Sequence, residues 1–214
     1  VEELLCEILR QDHVKVDLTS SICDHENARE IMPRLLSVPP EELSRLLIEG
    51  VVMEKDNLTK YLDRERYALQ PLHNFFFMRD AAAVIFDKVL VSKMANQVRE
   101  RESLIMEAIF SHHPMFDTRI SRPFEEKAVD PKITIEGGDI LVARQDILIV
   151  GQGARTSTQG IDALIEHLKV DKDLSHIIVQ ELPYKPESFI HLDMVFTLLD
   201  VDACMVYKPL STES

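Results

Sequence analysis

Paired cysteines, an excess of positive charge and long apolar runs are all missing from this chain. Its three cysteines, Cys6, Cys23 and Cys204, are far apart and odd in number, and none stands in a C-x-x-C or other metal-type spacing. That argues against a disulfide scaffold and a cysteine metal site, and fits a reducing, cytoplasmic compartment. Lysine and arginine number 24 against 37 aspartates and glutamates, a formal charge of −13 over 214 residues. A binder of nucleic-acid phosphates needs a basic face, so nucleic acid is not an expected partner. No apolar stretch reaches the roughly eighteen residues of a membrane helix and no signal-peptide pattern is visible, so no membrane partner is expected either. Apolar residues still make up 45% of the chain, which supplies a core and argues against a disordered class.

What the chain does contain is a repeat. Pro71 to Asp80 (Pro-Leu-His-Asn-Phe-Phe-Phe-Met-Arg-Asp) ends on an acid, and the apolar run 81–86, Asp87 and the apolar run 89–91 follow. Asp139 and Asp146, and again Asp193 and Asp200, recur with apolar runs in the same places, and in each pair the second acid lies seven residues after the first. Acid, strand, acid turn, strand is a hairpin pattern, and three copies make an internal repeat. The spacing predicts hairpins over 80–91 and 140–150, helices over 94–110 and 157–170 with Thr156 or Ser157 as N-cap, and strands at 133–135, 177–179 and 189–193. Each full unit then reads strand, strand, helix, strand. Two and a half such units form an open arc with apolar surface at its ends, because units of this kind bury their faces only against neighbours.

Residues 1–62 carry helical periodicity instead. Val1 to Leu9 and Asn27 to Leu36 give two segments, Pro39-Pro40-Glu41-Glu42 starts another with Leu43, Leu46 and Leu47 as its apolar stripe, and Asp56-Asn57 reads as a break. The expected organisation is a helical bundle over 1–62 and an incomplete α/β propeller over 63–214.

Polar residues fall at equivalent places in the repeats: Asn74 and Asp80, Glu136 and Asp139, His191 and Asp193. Residues two apart in a strand share a face, so His191 and Asp193 can enter one cavity. Gly137-Gly138 leaves room beside Glu136 for backbone or ligand. Arg99 and Arg155 follow the first two hairpins. Four carboxylates, an imidazole and two guanidinium groups on one face suit a planar cation with several N–H donors whose other end is a carboxylate, and free L-arginine meets both demands. The histidine supplies a proton shuttle. His112-His113 has no third ligand at metal spacing and is assigned to a loop, so no metal and no cofactor are expected. Of Phe75-Phe76-Phe77, only Phe77 is expected at a pocket, the rest in core. For Arg99, in the run Arg99-Glu100-Arg101-Glu102, a solvated helix face with ordinary charge pairs is the competing reading. His73 and His167 receive no role. Cys204, inside the apolar strand 202–206, reads as a buried inert thiol.

Pro71 to Asp80, Arg99 to Glu102, Glu136-Gly137-Gly138-Asp139, the block Gly151 to Gly160 and His191-x-Asp193, in this order, resemble arginine deiminase, a guanidino-group modifying enzyme of the pentein superfamily. The resemblance covers 71–209. It implies a partial five-fold ββαβ propeller with an N-terminal α-helical bundle subdomain, and hydrolysis of L-arginine to L-citrulline and ammonia through a cysteine thiouronium. It further implies that Asp80 and Asp193 grip the guanidinium and that Glu136 and His191 are the acid/base pair. Asn74, Arg99 and Arg155 would hold the amino-acid end, Phe77 would line the pocket and Asp139 would support the site. The family's nucleophilic cysteine belongs to a last unit, so the chain is expected to be a fragment lacking it, inactive alone. Three readings stay open: part of a deiminase, a dead arginine-binding relative, or a sister amidinotransferase or dimethylarginine hydrolase. A homo-oligomer is also open.

Overall fold

The computed structural model describes residues 1–54, 58, 62, 66–123, 130–169, 174–185 and 187–208. The Asp56-Asn57 break and Pro209 lie outside them. In chain order the helices are α1 (Glu2–Ile8), α2 (Asp12–His25), α3 (Met32–Ser37), α4 (Pro40–Glu49), α5 (Met78–Ala81), α6 (Glu100–His112) and α7 (Thr158–Leu168). The strands are β1 (Val51–Val52), β2 (Tyr67–Leu69), β3 (Ala82–Ile85), β4 (Lys88–Val91), β5 (Arg119–Ser121), β6 (Ile140–Arg144), β7 (Ile147–Gln152), β8 (His176–Glu181), β9 (Phe196–Asp200) and β10 (Ala203–Val206).

Two compact units emerge: residues 1–77 with 97–117, and residues 78–96 with 118–214. This differs from a single cut at residue 62, because α6, assigned by its sequence position to the first ββαβ repeat, packs with the N-terminal helices. In the first unit α4 starts as its sequence predicts, with Pro40 at the first helical position and Glu41 and Glu42 in the first turn, where proline costs no hydrogen bond and acids favour the helix dipole. Leu5, Ile8, Ile22, Leu35, Leu43, Leu47, Ile105 and Ile109 form its buried interior. His112 ends α6 and His113 caps it; His113 Nε2 lies 2.9 Å from Glu7 Oε2 and so ties α6 to α1. This pair belongs to a helix end, not to a loop as expected. Phe75 is buried, but Phe76 is 72% exposed, which corrects its assignment to the core: its ring lies against that of Phe77, centroids 4.1 Å apart, rather than in the interior.

The second unit carries the repeats. β3 pairs antiparallel with β4 and β4 parallel with β5; β6 pairs antiparallel with β7 and β7 parallel with β8. A parallel partner cannot be reached by a tight turn and needs a crossover, which α6 and α7 supply in sequence. Each sheet is thus hairpin plus crossover strand, and β9 and β10 form a third antiparallel hairpin. The hairpin turns hold Asp87 and Asp146, as the seven-residue spacing predicts. Ile133, Ile135, Ala83, Ile85, Leu90, Ile140, Leu148 and Val150 pack with Ile161, Leu164 and Leu168 of α7. Ser157 caps α7 by accepting from the Gly160 N–H at 3.0 Å. Ser121 at the end of β5 lies 2.8 Å from His167 Nε2 on α7 and pins strand to helix.

Local departures have tertiary causes. Residues 133–135 make only an isolated bridge, Ile135 to Lys93, rather than a strand. Residues 189–193 are not a strand either: 3-10 turns at Glu187–Phe189 and Leu192–Met194 flank an extended His191. Cys204 is exposed, against its expected burial. All four residues of β10 are exposed, and Leu199, Val201, Met205 and Val206 present open apolar surface there; among the described residues only β9 pairs with this strand.

Candidate active site

Three turns of the second unit meet at one place. The helical turn α5 carries Asp80. An extended Glu136 leads into the 3-10 turn Gly137–Asp139, and an extended His191 leads into the 3-10 turn Leu192–Met194. Glu136 and His191 therefore hold equivalent positions in two repeats and reach toward each other. His191 Nε2 lies 2.7 Å from Glu136 Oε2, and His191 Nδ1 lies 3.6 Å from Asp80 Oδ1. Glu136 is fully buried, His191 4% exposed and Asp80 7% exposed, so the pairs sit in a low-dielectric setting where charge interactions are strong.

The glycines make this approach feasible. A Cβ on Gly138 would lie 2.8 Å from His191 Cγ and 3.0 Å from Asp80 Oδ1, and one on Gly137 would collide with the Arg79 carbonyl oxygen. Only a residue without a side chain lets the three turns close this far.

Behind the pair runs a buried hydrogen-bond chain. The Glu136 N–H donates to Thr156 Oγ1 at 3.2 Å, Thr156 Oγ1 donates to Asp139 Oδ2 at 2.5 Å, and the Leu192 N–H donates to Asp139 Oδ1 at 2.9 Å. Asp139 thus holds the residue next to His191 and, through Thr156, the main chain of Glu136. The other Glu136 oxygen, Oε1, accepts from the Ala95 N–H at 3.0 Å. Thr156 was visible in the sequence only as a cap candidate; its role depends on contacts 17 and 20 residues away.

The electrostatics follow. Burial pushes the Asp139 carboxyl up to about 7, although Thr156, His191 and Leu192 favour its anion. Burial alone would pull the His191 imidazole down; the hydrogen bond to Glu136 and the carboxylates Asp80 and Asp139 outweigh it, and the net direction is up. Asp193 is pushed up by burial and by Asp80, while His191 and Arg79 oppose the rise. Asp193 lines a polar hollow of about 360 Å³ with Arg79, Val84, Leu141, Val142, Thr197 and Leu198.

Of the residues singled out in the sequence, this unit brings together Asp80, Glu136, Asp139, His191 and Asp193. Arg155 stands half-buried in the same unit, inside the turn closed by the Gly153 N–H donating to the Thr156 carbonyl at 3.0 Å. Asn74, Phe77 and Arg99 belong to the helical unit. There Asn74 and Phe77 are exposed, while Arg99 is buried and grips Glu102 with two hydrogen bonds of 3.0 and 2.9 Å. Arg101 is wholly buried too, so the run 99–102 is not a solvated face. Single ligand atoms of Asp80, Glu136 and His191 lie within 4.8 Å of one another, close enough for one cation to touch all three. Among the described residues no helix is long and apolar enough to cross a membrane.

Hairpins with parallel crossover strands, repeated around a cluster of strand-entry acids, define a pentein fold. A dimethylarginine dimethylaminohydrolase from Pseudomonas aeruginosa, solved with citrulline, superposes with a TM-score of 0.51 at 17% identity, over 79% of this chain and 68% of that one. The family profile of arginine deiminase matches residues 42–214, and the chain belongs to the arginine deiminase family. The arginine deiminase of Bacillus cereus (strain ATCC 10987 / NRS 248) is 32% identical over 96% of this chain and 50% of its own length. That of Listeria monocytogenes serotype 4b (strain CLIP80459) is 30% identical over 94% and 51%. The chain spans about half the length of the curated relatives it matches.

Proposed function

We propose that the cluster binds the guanidinium of L-arginine and that, joined to a cysteine nucleophile, it hydrolyses arginine to citrulline and ammonia. The observation that carries this reading is the buried Glu136–His191 pair with Asp80 beside it. Two carboxylates and an imidazole in a dry site would be costly to keep unless a cationic ligand repays their desolvation. A guanidinium is planar and meets paired carboxylates with two-pronged hydrogen bonds; Asp80 and Asp193 take that part. Arg155, in the same unit, is assigned to the amino-acid end.

In the reaction, a thiolate adds to the guanidinium carbon and His191 gives its proton to the departing nitrogen, which leaves as ammonia. His191 then takes a proton from water, the hydroxide adds to the same carbon, and the C–S bond breaks to release the thiolate while the added hydroxyl gives its remaining proton to solvent, leaving citrulline. Glu136 holds the imidazole orientation and charge through both steps.

The sulfur is assigned to a residue outside 1–214. Burial pushes the Cys23 thiol up to about 11, and burial, then Glu41, raises Cys6; a raised thiol is a poor nucleophile. Both belong to the helical unit, and Cys204 lies on the exposed strand β10. The chain of 214 residues should therefore bind arginine without turning it over. Calorimetry should show binding that is lost in Asp80→Asn, and citrulline release should not exceed that of a His191→Ala control. Citrulline above that control rejects the assignment of the nucleophile. Absence of arginine binding rejects the site, and methylated arginines binding more tightly than arginine would favour a sister enzyme.

A further inference from the structure

Arg79 stands one residue before Asp80 and is an exposed residue, yet its guanidinium is committed to main chain. Its Nε donates to the Gly137 carbonyl at 3.0 Å and its Nη2 donates to the Ile140 carbonyl. Those two carbonyls bracket the turn Gly137–Asp139, which begins directly after Glu136 and ends on Asp139. The Arg79 main chain also lies against Gly137 so closely that no Cβ fits between them. Arg79 further lines the hollow that holds Asp193, and its charge opposes the burial that pushes that carboxyl up.

We propose that Arg79 is a positioning residue that straps the turn bearing Asp80 to the turn bearing Glu136 and Asp139, and so sets the approach of Glu136 to His191. An arginine suits the task because its rigid, planar fork satisfies two carbonyls at once, whereas lysine offers a single flexible point charge. Without the strap, the Gly137 and Ile140 carbonyls lose their charged donor. The turn then relaxes away from α5, and the 2.7 Å contact between Glu136 and His191 lengthens. Its effect on arginine binding rests on the function proposed above; its effect on the imidazole does not.

The test uses the 214-residue chain with Arg79→Gln, Arg79→Lys and, as control, Arg119→Gln, which removes an exposed arginine 3.6 Å from Asp87. The first readout, without ligand, is the His191 Nε2 proton resonance, assigned by its loss in His191→Gln; a proton held against a carboxylate lies far downfield. Arg79→Gln should move this resonance upfield or broaden it away at an unfolding temperature within a few degrees of the parent. Arg79→Lys should restore part of the shift, and Arg119→Gln should leave it unchanged. The second readout is arginine affinity, expected to fall by up to about a hundredfold in Arg79→Gln, the scale of a misplaced binding group. If Arg79→Gln does not fold, Arg79→Lys carries the test, with an intermediate resonance expected. A resonance identical to the parent's in the folded variants overturns the strap. A parent that binds no arginine while its His191 resonance still responds to Arg79 overturns the substrate reading and leaves the strap standing.

Discussion

Replacing Asp139 by asparagine should remove most of a pH-dependent instability from the second unit. Asp139 is fully buried and accepts from Thr156 and the Leu192 N–H, but burial dominates and lifts its carboxyl from 3.8 to about 7. Below pH 3.8 the folded and unfolded chains both carry the proton, and the group adds no pH dependence. Between 3.8 and about 7 the unfolded chain ionises while the folded chain holds its proton, so stability is lost progressively as pH rises; above 7 both are ionised and the loss is complete. At about 1.4 kcal/mol per pH unit the whole span is worth on the order of 4 kcal/mol, and the stretch from about pH 5 to 7 about 3 kcal/mol. The asparagine cannot ionise and keeps a carbonyl for the Leu192 N–H. Urea unfolding of the parent and Asp139→Asn chains at pH 5, 6, 7 and 8 provides the measurement; taking the difference cancels the contributions of Asp193 and Glu26 and leaves Asp139 together with its coupling to His191. The stability of the parent relative to the variant should fall by about 3 kcal/mol from about pH 5 to 7 and then level off. A difference that stays flat over that range refutes the reading that burial governs this carboxyl.

Two further outcomes follow from the packing. Gly138→Ala places a methyl 2.8 Å from His191 Cγ and 3.0 Å from Asp80 Oδ1, an overpacking expected to cost about 1–3 kcal/mol. Thermal unfolding reads that cost, and the His191 resonance should move because the ring is the atom group that must yield. Arg101→Met in the helical unit removes a wholly buried guanidinium that lies 3.2 Å from Glu26 Oε1 and donates to the Gln70 carbonyl. Stranding Glu26 should cost about 3–5 kcal/mol, and urea unfolding monitored by helical circular dichroism should show it. The double variant Arg101→Met with Glu26→Gln should recover part of the loss.

The chain's own order of residues determined the three hairpins, because the short apolar runs and the acids between them are local features that need no partner to be read. It also determined the start of α4 and the cap of α7, where Pro40 and Ser157 act on their own next turn. The block Glu136 to Asp139 and His191-x-Asp193 were legible as candidate site residues because their types and spacing narrow the chemistry. Tertiary structure alone decided what lies across long separations. It placed α6 with the helical unit, although its position between β4 and β5 reads as an ordinary crossover. It turned 189–193 from a strand into an extended residue between 3-10 turns, where His191 meets Glu136 over 55 residues. Arg79 was hidden inside a motif read for Asp80, and Thr156 inside a helix cap. Their importance comes from carbonyls and carboxylates 17 to 61 residues away, which no local periodicity records. The exposure of Cys204 was likewise invisible: an apolar strand reads as buried, and only the absence of a covering layer over β10 among the described residues makes it otherwise.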